Sequence, residues 1–186
     1  DFGVTLRALS AQDLRLAVAL NNLSGLVSSE GALTVSAASL YNRQGNLSSA
    51  GPLSLTSSGA IDNQGGQLVT DAGFNLQSAS LDNRQLGSLS GKGPVQIHTG
   101  ALDNSHGGRL TSSDSLDLTA TQVTNQDNGR IASEQALTAN ITGLDQQGGV
   151  LFSNSALTLN LNHGQLNNQT GLITAPLLML SNLNGV

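Results

Sequence analysis

The chain has 186 residues, a formal net charge of −5, no cysteine and only 2% aromatic residues. Without cysteine it has neither a disulfide framework nor a thiolate metal site, and without a Lys/Arg cluster it lacks the usual basis for binding nucleic acid or an anionic membrane surface. So few aromatic side chains are unusual for a globular enzyme core, and no apolar run approaches the length of a membrane-spanning helix.

Residues 1–19 are the least regular part of the chain. Ser10-Ala-Gln-Asp13 is compatible with a helix capping box. Against a helix stands a strict alternation of apolar residues that matches a later stretch: Leu14, Leu16, Val18 and Leu20 against Leu157, Leu159 and Leu161. We favour the alternation and interpret residues 1–19 as part of a preceding repeat unit.

From Leu20 the chain repeats one unit eight times, with steps of 20, 21, 20, 21, 21, 21 and 22 residues. A fixed period of this kind is typical of a solenoid. The units begin at an apolar residue: Leu20, Leu40, Ile61, Leu81, Leu102, Val123, Leu144 and Leu166. Two residues later comes an amide, seven times Asn and once Gln: Asn22, Asn42, Asn63, Asn83, Asn104, Asn125, Gln146 and Asn168. We expect residues 20–186 to be consecutive repeats from a longer array.

Each unit carries further constant positions. A second apolar anchor follows seven or eight residues after the start: Val27, Leu47, Leu68, Leu89, Leu110, Ile131, Leu151 and Ile173. Two residues on, the side chain is small: Ser29, Ser49, Thr70, Gly91, Ser112, Ser133, Ser153 and Ala175. A third anchor is an alternating pair: Leu33/Val35, Leu53/Leu55, Phe74/Leu76, Val95/Ile97, Leu116/Leu118, Leu137/Ala139 and Leu157/Leu159. The last unit is degenerate here, because four apolar residues follow one another from Leu177 to Leu180.

Apolar residues at i and i+2 predict three short strands per unit, and the intervening Gly, Asn, Asp and Ser predict tight turns. One unit cannot bury its own apolar face, whereas stacked units can. Stacking in phase places each strand parallel to its copy one unit later, about 4.8 Å away. The sequence therefore predicts an all-β fold, a parallel β-helix of about eight rungs of 20–22 residues. We expect a right-handed coil, because parallel crossovers are overwhelmingly right-handed.

The amide column predicts an internal ladder. In Leu-Asp-Asn the Leu and the Asn point to the same side of the strand, so the Asn lies inside or at a corner. Stacked amides can each donate to one neighbour and accept from the other, which favours a structural ladder over a polar binding groove. We expect Asn83→Ala to destabilise the fold by roughly 1–3 kcal/mol, and outward-facing Asp82→Ala by less than about 0.5 kcal/mol.

The strongest alternative for chemistry is an outward carboxylate column that could bind a cation or act as an acid–base pair: Asp62, Asp82, Asp103 and Asp145. Two positions on, on the same face, stand groups that can pair with these carboxylates: Arg43, Gln64 and Arg84. Interleaved opposite charges on a solvated face, together with good Asp-Asn turn chemistry, explain the column more simply.

The remaining sequence motifs do not point to an enzymatic reaction or a ligand site. The three histidines fall in different columns and predict no metal cluster: His98, His106 and His163. Gly pairs such as Gly65-Gly66 are explained by the bend before the second strand, and no Gly-x-Ser-x-Gly motif, Walker-type phosphate loop or calcium-binding nonapeptide is present. We predict no catalytic residue, no cofactor and no metal site.

The units resemble the haemagglutinin repeats of filamentous haemagglutinin and of contact-dependent growth-inhibition toxins, whose pattern looks like Leu-x-Asn-x-x-Gly-x-Leu-x-Ser-x-Gly-x-Leu-x-Leu. Leu40–Leu55, LYNRQGNLSSAGPLSL, matches nearly throughout, and Ile61–Leu76 and Leu102–Leu118 match closely. Gln146 departs from the pattern, and the unit that begins at Leu166 loses the third-strand pair. The resemblance implies a right-handed β-helical stalk of a bacterial exoprotein exported by two-partner secretion, with no catalytic residues in the repeats.

The resemblance therefore implies a structural segment on the outer surface of a Gram-negative-type cell, in an adhesin or a growth-inhibition toxin. Its expected partners are flanking repeats of the same chain, an outer-membrane two-partner-secretion transporter during export and a target-cell receptor, without nucleic acid or membrane insertion. One alternative is an adhesive module that binds glycan or protein through exposed Thr, Ser, Gln and Asn rows, although only Tyr41 and three Phe are available for sugar stacking. A β-helical polysaccharide-active enzyme is the other alternative.

Overall fold

A computed structural model describes residues 5–184 of the chain. Every helix or strand assigned in this part is a strand, of two to five residues. In chain order the strands are β1 (Thr5–Ala8), β2 (Gln12–Arg15), β3 (Leu20–Asn21), β4 (Leu26–Ser29), β5 (Leu33–Ala37), β6 (Leu40–Tyr41), β7 (Asn46–Ser49), β8 (Leu53–Ser57), β9 (Ala60–Asp62), β10 (Gln67–Thr70), β11 (Phe74–Gln77), β12 (Ser80–Asp82), β13 (Ser88–Gly91), β14 (Val95–His98), β15 (Ala101–Asp103), β16 (Arg109–Ser112), β17 (Leu116–Thr119), β18 (Gln122–Thr124), β19 (Arg130–Ser133), β20 (Leu137–Asn140), β21 (Gly143–Asp145), β22 (Val150–Ser153), β23 (Ala156–Asn160), β24 (Leu166–Asn167), β25 (Leu172–Thr174) and β26 (Leu177–Ser181).

The strands form three parallel sheets, and each complete rung contributes one strand to each sheet. Sheet A runs from β1 through β4 and every third strand to β25, sheet B from β2 through β5 to β26, and sheet C from β3 through β6 to β24. Each strand residue pairs with the residues at the same position in the preceding and following units, so Leu68 pairs with Leu47 on one side and Leu89 on the other. The predicted parallel β-solenoid with three strands per rung is confirmed, while its right-handed coil stays a prediction.

Alternation along each strand decides which side chains fill the interior. In β10, Leu68 and Thr70 are buried while Gln67 and Val69 lie on the outer side. The unit-start residue, the second anchor and the third-anchor pair supply an apolar layer in each rung, and these layers join into one core that extends from Leu20 to Leu166. Each fully buried aliphatic side chain contributes about 1.5–3 kcal/mol, so the stacked layers are the main source of stability.

The N-terminal segment joins the same stack. β1 pairs with β4 and β2 pairs with β5, so Gln12–Arg15 is a strand and not the start of a helix. Leu14 pairs with Val35 and so belongs to the second position of the third-anchor pair. The predicted alternation is wrong at Val18, which is 68% exposed because the chain has already left β2 at Arg15. Residues 1–4 of the predicted partial rung lie outside the described residues.

The C-terminal strand corrects the prediction that the last unit loses its third-strand pair. In β26, Leu178 pairs with Leu157 and Leu180 pairs with Leu159, so the alternating pair is present. Four successive apolar residues concealed the period of two in the sequence. Leu178 is 42% exposed and Leu180 is 39% exposed, because within residues 5–184 no later rung covers β26.

Candidate functional site

The eight predicted ladder residues form one column at the corner where sheet C turns into sheet A. The amides from Asn22 to Gln146 are at most 1% exposed, and Asn168 is half-buried. Each side-chain nitrogen from Asn22 to Gln146 donates to the side-chain oxygen one rung later, at nitrogen–oxygen distances of 2.6, 2.7, 2.7, 2.8, 2.8, 3.2 and 3.0 Å in chain order. The column is therefore a continuous chain of hydrogen bonds inside the rod, and a ligand in solvent cannot reach it.

The second amide proton ties the ladder to the backbone. Asn83 Nδ2 donates to the carbonyl oxygen of Arg109 at 2.9 Å, at the start of the sheet A strand one rung later. The longer side chain of Gln146 keeps both contacts, since its Nε2 lies 3.0 Å from Asn168 Oδ1 and 3.1 Å from the carbonyl oxygen of Leu172. Each amide thus fixes the next rung in register, and these bonds offset the cost of burying a polar group.

All seven links of the ladder point the same way along the rod, from each nitrogen towards the C-terminal rung. The first oxygen of the series, Asn22 Oδ1, is buried and has no donor among residues 5–184. The ladder therefore has two chemically different ends, one presenting an acceptor and the other a donor.

A glycine column accompanies the ladder, and sequence reasoning missed its role. It stands two residues before every second anchor: Gly25, Gly45, Gly66, Gly87, Gly108, Gly129, Gly149 and Gly171. A Cβ on Gly66 would lie 2.0 Å from the carbonyl oxygen of Asn42 and 2.6 Å from Asn63 Oδ1. Only glycine lets the backbone approach the ladder this closely. The constant offset from the anchor was the available signal, but sequence reasoning explained the Gly pairs only by the bend before the second strand.

The small-residue column closes the corner between sheets A and B. Ser49 Oγ and Thr70 Oγ1 both donate to the carbonyl oxygen of Gly51, each at 2.7 Å. Ser112 Oγ donates to the carbonyl oxygen of Gly93 at 3.0 Å. These short hydroxyl side chains satisfy turn carbonyls of their own or the preceding rung, which explains why the column is both small and mostly polar.

The outward Asp column is part of a hydrogen-bonded lattice on sheet C. Arg43 Nε lies 2.6 Å from Asp62 Oδ2, and Gln64 Nε2 donates to Asp82 Oδ2 at 2.9 Å. The hydrogen bond and charge of Asp82 raise the pKa of the Arg84 guanidinium. The same contact recurs on later rungs: Arg84 Nε with Asp103 Oδ2 at 3.5 Å and Gln126 Nε2 with Asp145 Oδ2 at 2.6 Å. The carboxylates are partnered by their neighbours, as expected for a solvated face.

Asp82→Ala is expected to lower the free energy of unfolding by about 0.5–1.5 kcal/mol, more than the sequence suggested. The carboxylate of Asp82 accepts from the backbone N–H of Arg84 at 3.2 Å as well as from the side chains of Arg84 and Gln64. The control is Asp117→Ala, because Asp117 is exposed on the outer face of β17 and its loss is expected to change stability by less than about 0.5 kcal/mol. Equal urea midpoints for the two variants would show that the lattice adds nothing to stability.

The nearest approach to a catalytic arrangement consists of Ser105, His106 and Asp127. His106 Nδ1 lies 3.0 Å from Ser105 Oγ, and His106 Nε2 lies 3.5 Å from Asp127 Oδ2. These residue types occur as nucleophile, base and orienting acid in hydrolases. Ser105 is only 2% exposed, however, and its hydroxyl donates to Asp103 Oδ1 at 2.6 Å. A substrate cannot reach this hydroxyl, so the group stabilises a turn.

The remaining candidate ligands are dispersed. His98 lies on the outer face of β14, while His106 and His163 occupy turns with φ of 54° and 65°. Within residues 5–184, no three His, Asp or Glu side chains come together as metal ligands. The same part of the chain contains no helix with the length and apolarity needed to cross a membrane.

A parallel β-solenoid whose buried amide column links each rung to the next belongs to the class of repeat-built structural proteins. The family model for the haemagglutinin repeat matches residues 9–65, 61–140 and 111–175. The chain therefore belongs to the haemagglutinin repeat family, as a filamentous haemagglutinin-type repeat region, and the resemblance seen in the sequence is confirmed. Family and fold together indicate a structural, non-enzymatic protein. Searches of curated proteins and of solved structures found no match.

Proposed function

We propose that this chain is a rigid stalk segment of a secreted, cell-surface exoprotein used for adhesion or contact-dependent toxin delivery. The observation that carries the proposal is the unbroken register of sheets A and B across nine strands each. At strand spacing these nine levels give a rod about 38 Å long. Because each rung contacts only its neighbours, the length of such a rod is set by the number of rungs.

The partners follow from this role. Flanking repeats of the same chain continue the rod at both ends, an outer-membrane two-partner-secretion transporter exports the chain, and a target-cell receptor is engaged beyond the stalk. The protein then works on the outer surface of a Gram-negative-type bacterium. Membership of the haemagglutinin repeat family and the rod-like architecture support this proposal.

The role of a rigid spacer is tested by removing rungs in phase. Deletion of residues 82–123 joins Leu81 to Thr124, which occupies the position of Asp82 two rungs later. The shortened chain is expected to fold and to lose about 10 Å of its maximum dimension, because each rung adds about 4.8 Å. Small-angle X-ray scattering of both chains gives the difference.

Deletion of residues 82–112, which ends at the last residue of β16 and joins Leu81 to Ser113, is the out-of-phase control and is expected to abolish cooperative unfolding. An unchanged maximum dimension for the in-phase deletion would contradict the role of a spacer. So would a broad distribution of end-to-end distances in the intact chain, measured between labels on the two terminal rungs.

A further inference from the structure

The outer side of sheet A changes from polar to apolar towards the C-terminal end of the rod. Val150 and Phe152 are half-buried there and Leu172 is 52% exposed. We call the outer side of β13, β16, β19, β22 and β25 the sheet A face. Its outward side chains, strand by strand, are Ser88/Ser90, Arg109/Thr111, Arg130/Ala132, Val150/Phe152 and Leu172/Thr174. Neither the amide ladder nor the Asp lattice uses these side chains.

The N-terminal half of the sheet A face carries a shallow groove of about 440 Å³. Small outward side chains line it: Ser90, Thr111 and Ala132. Charged groups also border the groove, among them the ion pair of Lys92 Nζ and Asp71 Oδ1 at 2.7 Å. One half of the face is therefore recessed, and the other half presents larger apolar side chains.

Strand β19 carries two opposite charges that have no ionic partner within residues 5–184. Arg130 is the first residue of β19 and Glu134 follows its last residue, and both border the groove. The Arg130 guanidinium lies 5.4 Å from the centre of the Phe152 ring, and Glu134 Oε2 accepts from Asn154 Nδ2 at 3.2 Å. Along an extended strand the two charged residues are about 13 Å apart, so they lie at opposite ends of β19.

Opposite charges at the two ends of one strand complement each other under a two-fold axis. An axis through the middle of β19, perpendicular to the sheet A face, reverses the direction of both the strand and the rod. Arg130 of each copy then meets Glu134 of the other copy, so one rotation gives two ion pairs. A two-fold contact of this kind is isologous, because both copies use the same surface.

The same rotation places the apolar half of the face over the recessed half. Strands β22 and β25 of one copy lie over β16 and β13 of the other. In the strand register, Phe152 then faces Thr111, and Leu172 faces Lys92. The small side chains of the groove leave room for the larger ones, and the aliphatic stem of a lysine can pack against leucine.

We propose that the sheet A face binds a second copy of this chain, antiparallel to the first and related to it by this two-fold axis. The contact covers five strands and is about 24 Å by 13 Å. A stable complex buries about 800 Å² per partner, which is more than this contact covers. We therefore expect a weak, reversible dimer with a dissociation constant of about 10–100 μM. Lateral pairing goes beyond the role of a stalk, which requires no contact on the side of the rod.

The test is sedimentation equilibrium of the intact chain from about 5 to 500 μM. The average mass is expected to rise from 18.9 kDa towards twice that value. Arg130→Glu and Glu134→Arg each place like charges at both contacts, and each is expected to weaken dimerisation at least about tenfold. The double variant Arg130→Glu, Glu134→Arg restores opposite charges at both contacts, and its dissociation constant is expected to lie within about threefold of the parent value.

A mixture of the two single variants is the most specific arm of the test. One variant carries two carboxylates at these positions and the other carries two guanidinium groups, so the mixture is expected to form a heterodimer although each variant alone is monomeric. Both variants keep a net negative charge, so overall attraction does not explain such a heterodimer.

The matched control is Asp117→Arg, on the outer face of β17 in sheet B. It changes the charge as much as Glu134→Arg does and is expected to leave dimerisation within about threefold of the parent value. Circular dichroism checks that each variant is folded. If a charge variant unfolds, Leu172→Ser replaces it and is expected to weaken dimerisation about tenfold.

Three outcomes would overturn the proposal. One is a chain that stays monomeric up to about 500 μM. Another is an average mass that rises with concentration equally in the parent chain and in both single charge variants, which would assign the association to the ends of the rod. The third is a mixture of folded single variants that stays monomeric while the parent chain dimerises, because the two charges would then not meet across a two-fold axis.

Discussion

Asn83→Ala is expected to lower the free energy of unfolding by roughly 1–3 kcal/mol. The side chain of Asn83 is 1% exposed, donates to Asn104 Oδ1 at 2.8 Å and accepts from Asn63 Nδ2 at 2.7 Å. Its removal also takes away a hydrogen bond to the backbone of Arg109. The variant therefore leaves buried polar groups without partners on the rungs above and below. Urea unfolding followed by circular dichroism measures the loss.

The matched control is Asn75→Ala. Asn75 is exposed on the outer face of β11, and the same loss of a side-chain amide there is expected to change stability by less than about 0.5 kcal/mol. The free energy of unfolding of Asn83→Gln is expected to lie between those of the two Ala variants, because Gln146 already continues the ladder at one rung. If Asn83→Ala and Asn75→Ala unfold at the same urea concentration, the ladder does not stabilise the rod.

Gly66→Ala is expected to destabilise the fold more strongly, by about 3 kcal/mol or more. The added methyl group would lie 2.0 Å from the carbonyl oxygen of Asn42 and 2.6 Å from Asn63 Oδ1. Neither oxygen can move freely, because the carbonyl of Asn42 accepts from Gly45 N at 3.0 Å and Asn63 Oδ1 accepts from Asn42 Nδ2 at 2.7 Å. The clash can be relieved only if two rungs separate at this corner. Thermal unfolding measures the resulting loss of stability.

Gly73→Ala is the matched control for this substitution. A Cβ on Gly73 would meet its nearest atom, the carbonyl oxygen of Pro94, at 3.5 Å, which is ordinary van der Waals contact. Its expected effect is within about 0.5 kcal/mol of the parent chain, or slightly stabilising because alanine restricts the unfolded chain. Similar melting temperatures for the two variants would show that the close approach at Gly66 relaxes without cost.

The repeat period allowed most of the fold to be predicted. Once Leu47, Leu68 and Leu89 are assigned to equivalent positions, stacking in phase implies their pairing, and the structure has that register. The prediction failed where the apolar alternation in the sequence does not follow the course of the backbone. Val18 continues an apolar alternation in the sequence although the strand has ended, and the apolar run of β26 hides which residues face inward.

The features that sequence reasoning missed depend on distances between rungs. The requirement for glycine at position 66 arises from a carbonyl oxygen of residue 42, which no single unit contains. The contacts of Asp82 come partly from Gln64, a residue of the previous rung.

The one-way amide ladder makes the rod electrically polar. Side-chain amide dipoles that pointed alternately would cancel, but here every N–H group points towards the C-terminal rungs and every oxygen towards the N-terminal rungs. The dipoles therefore add, as backbone dipoles do in an α-helix, with the positive end at the C-terminal face. Two such rods continue each other's ladder only head to tail, since any other contact opposes donor to donor or acceptor to acceptor.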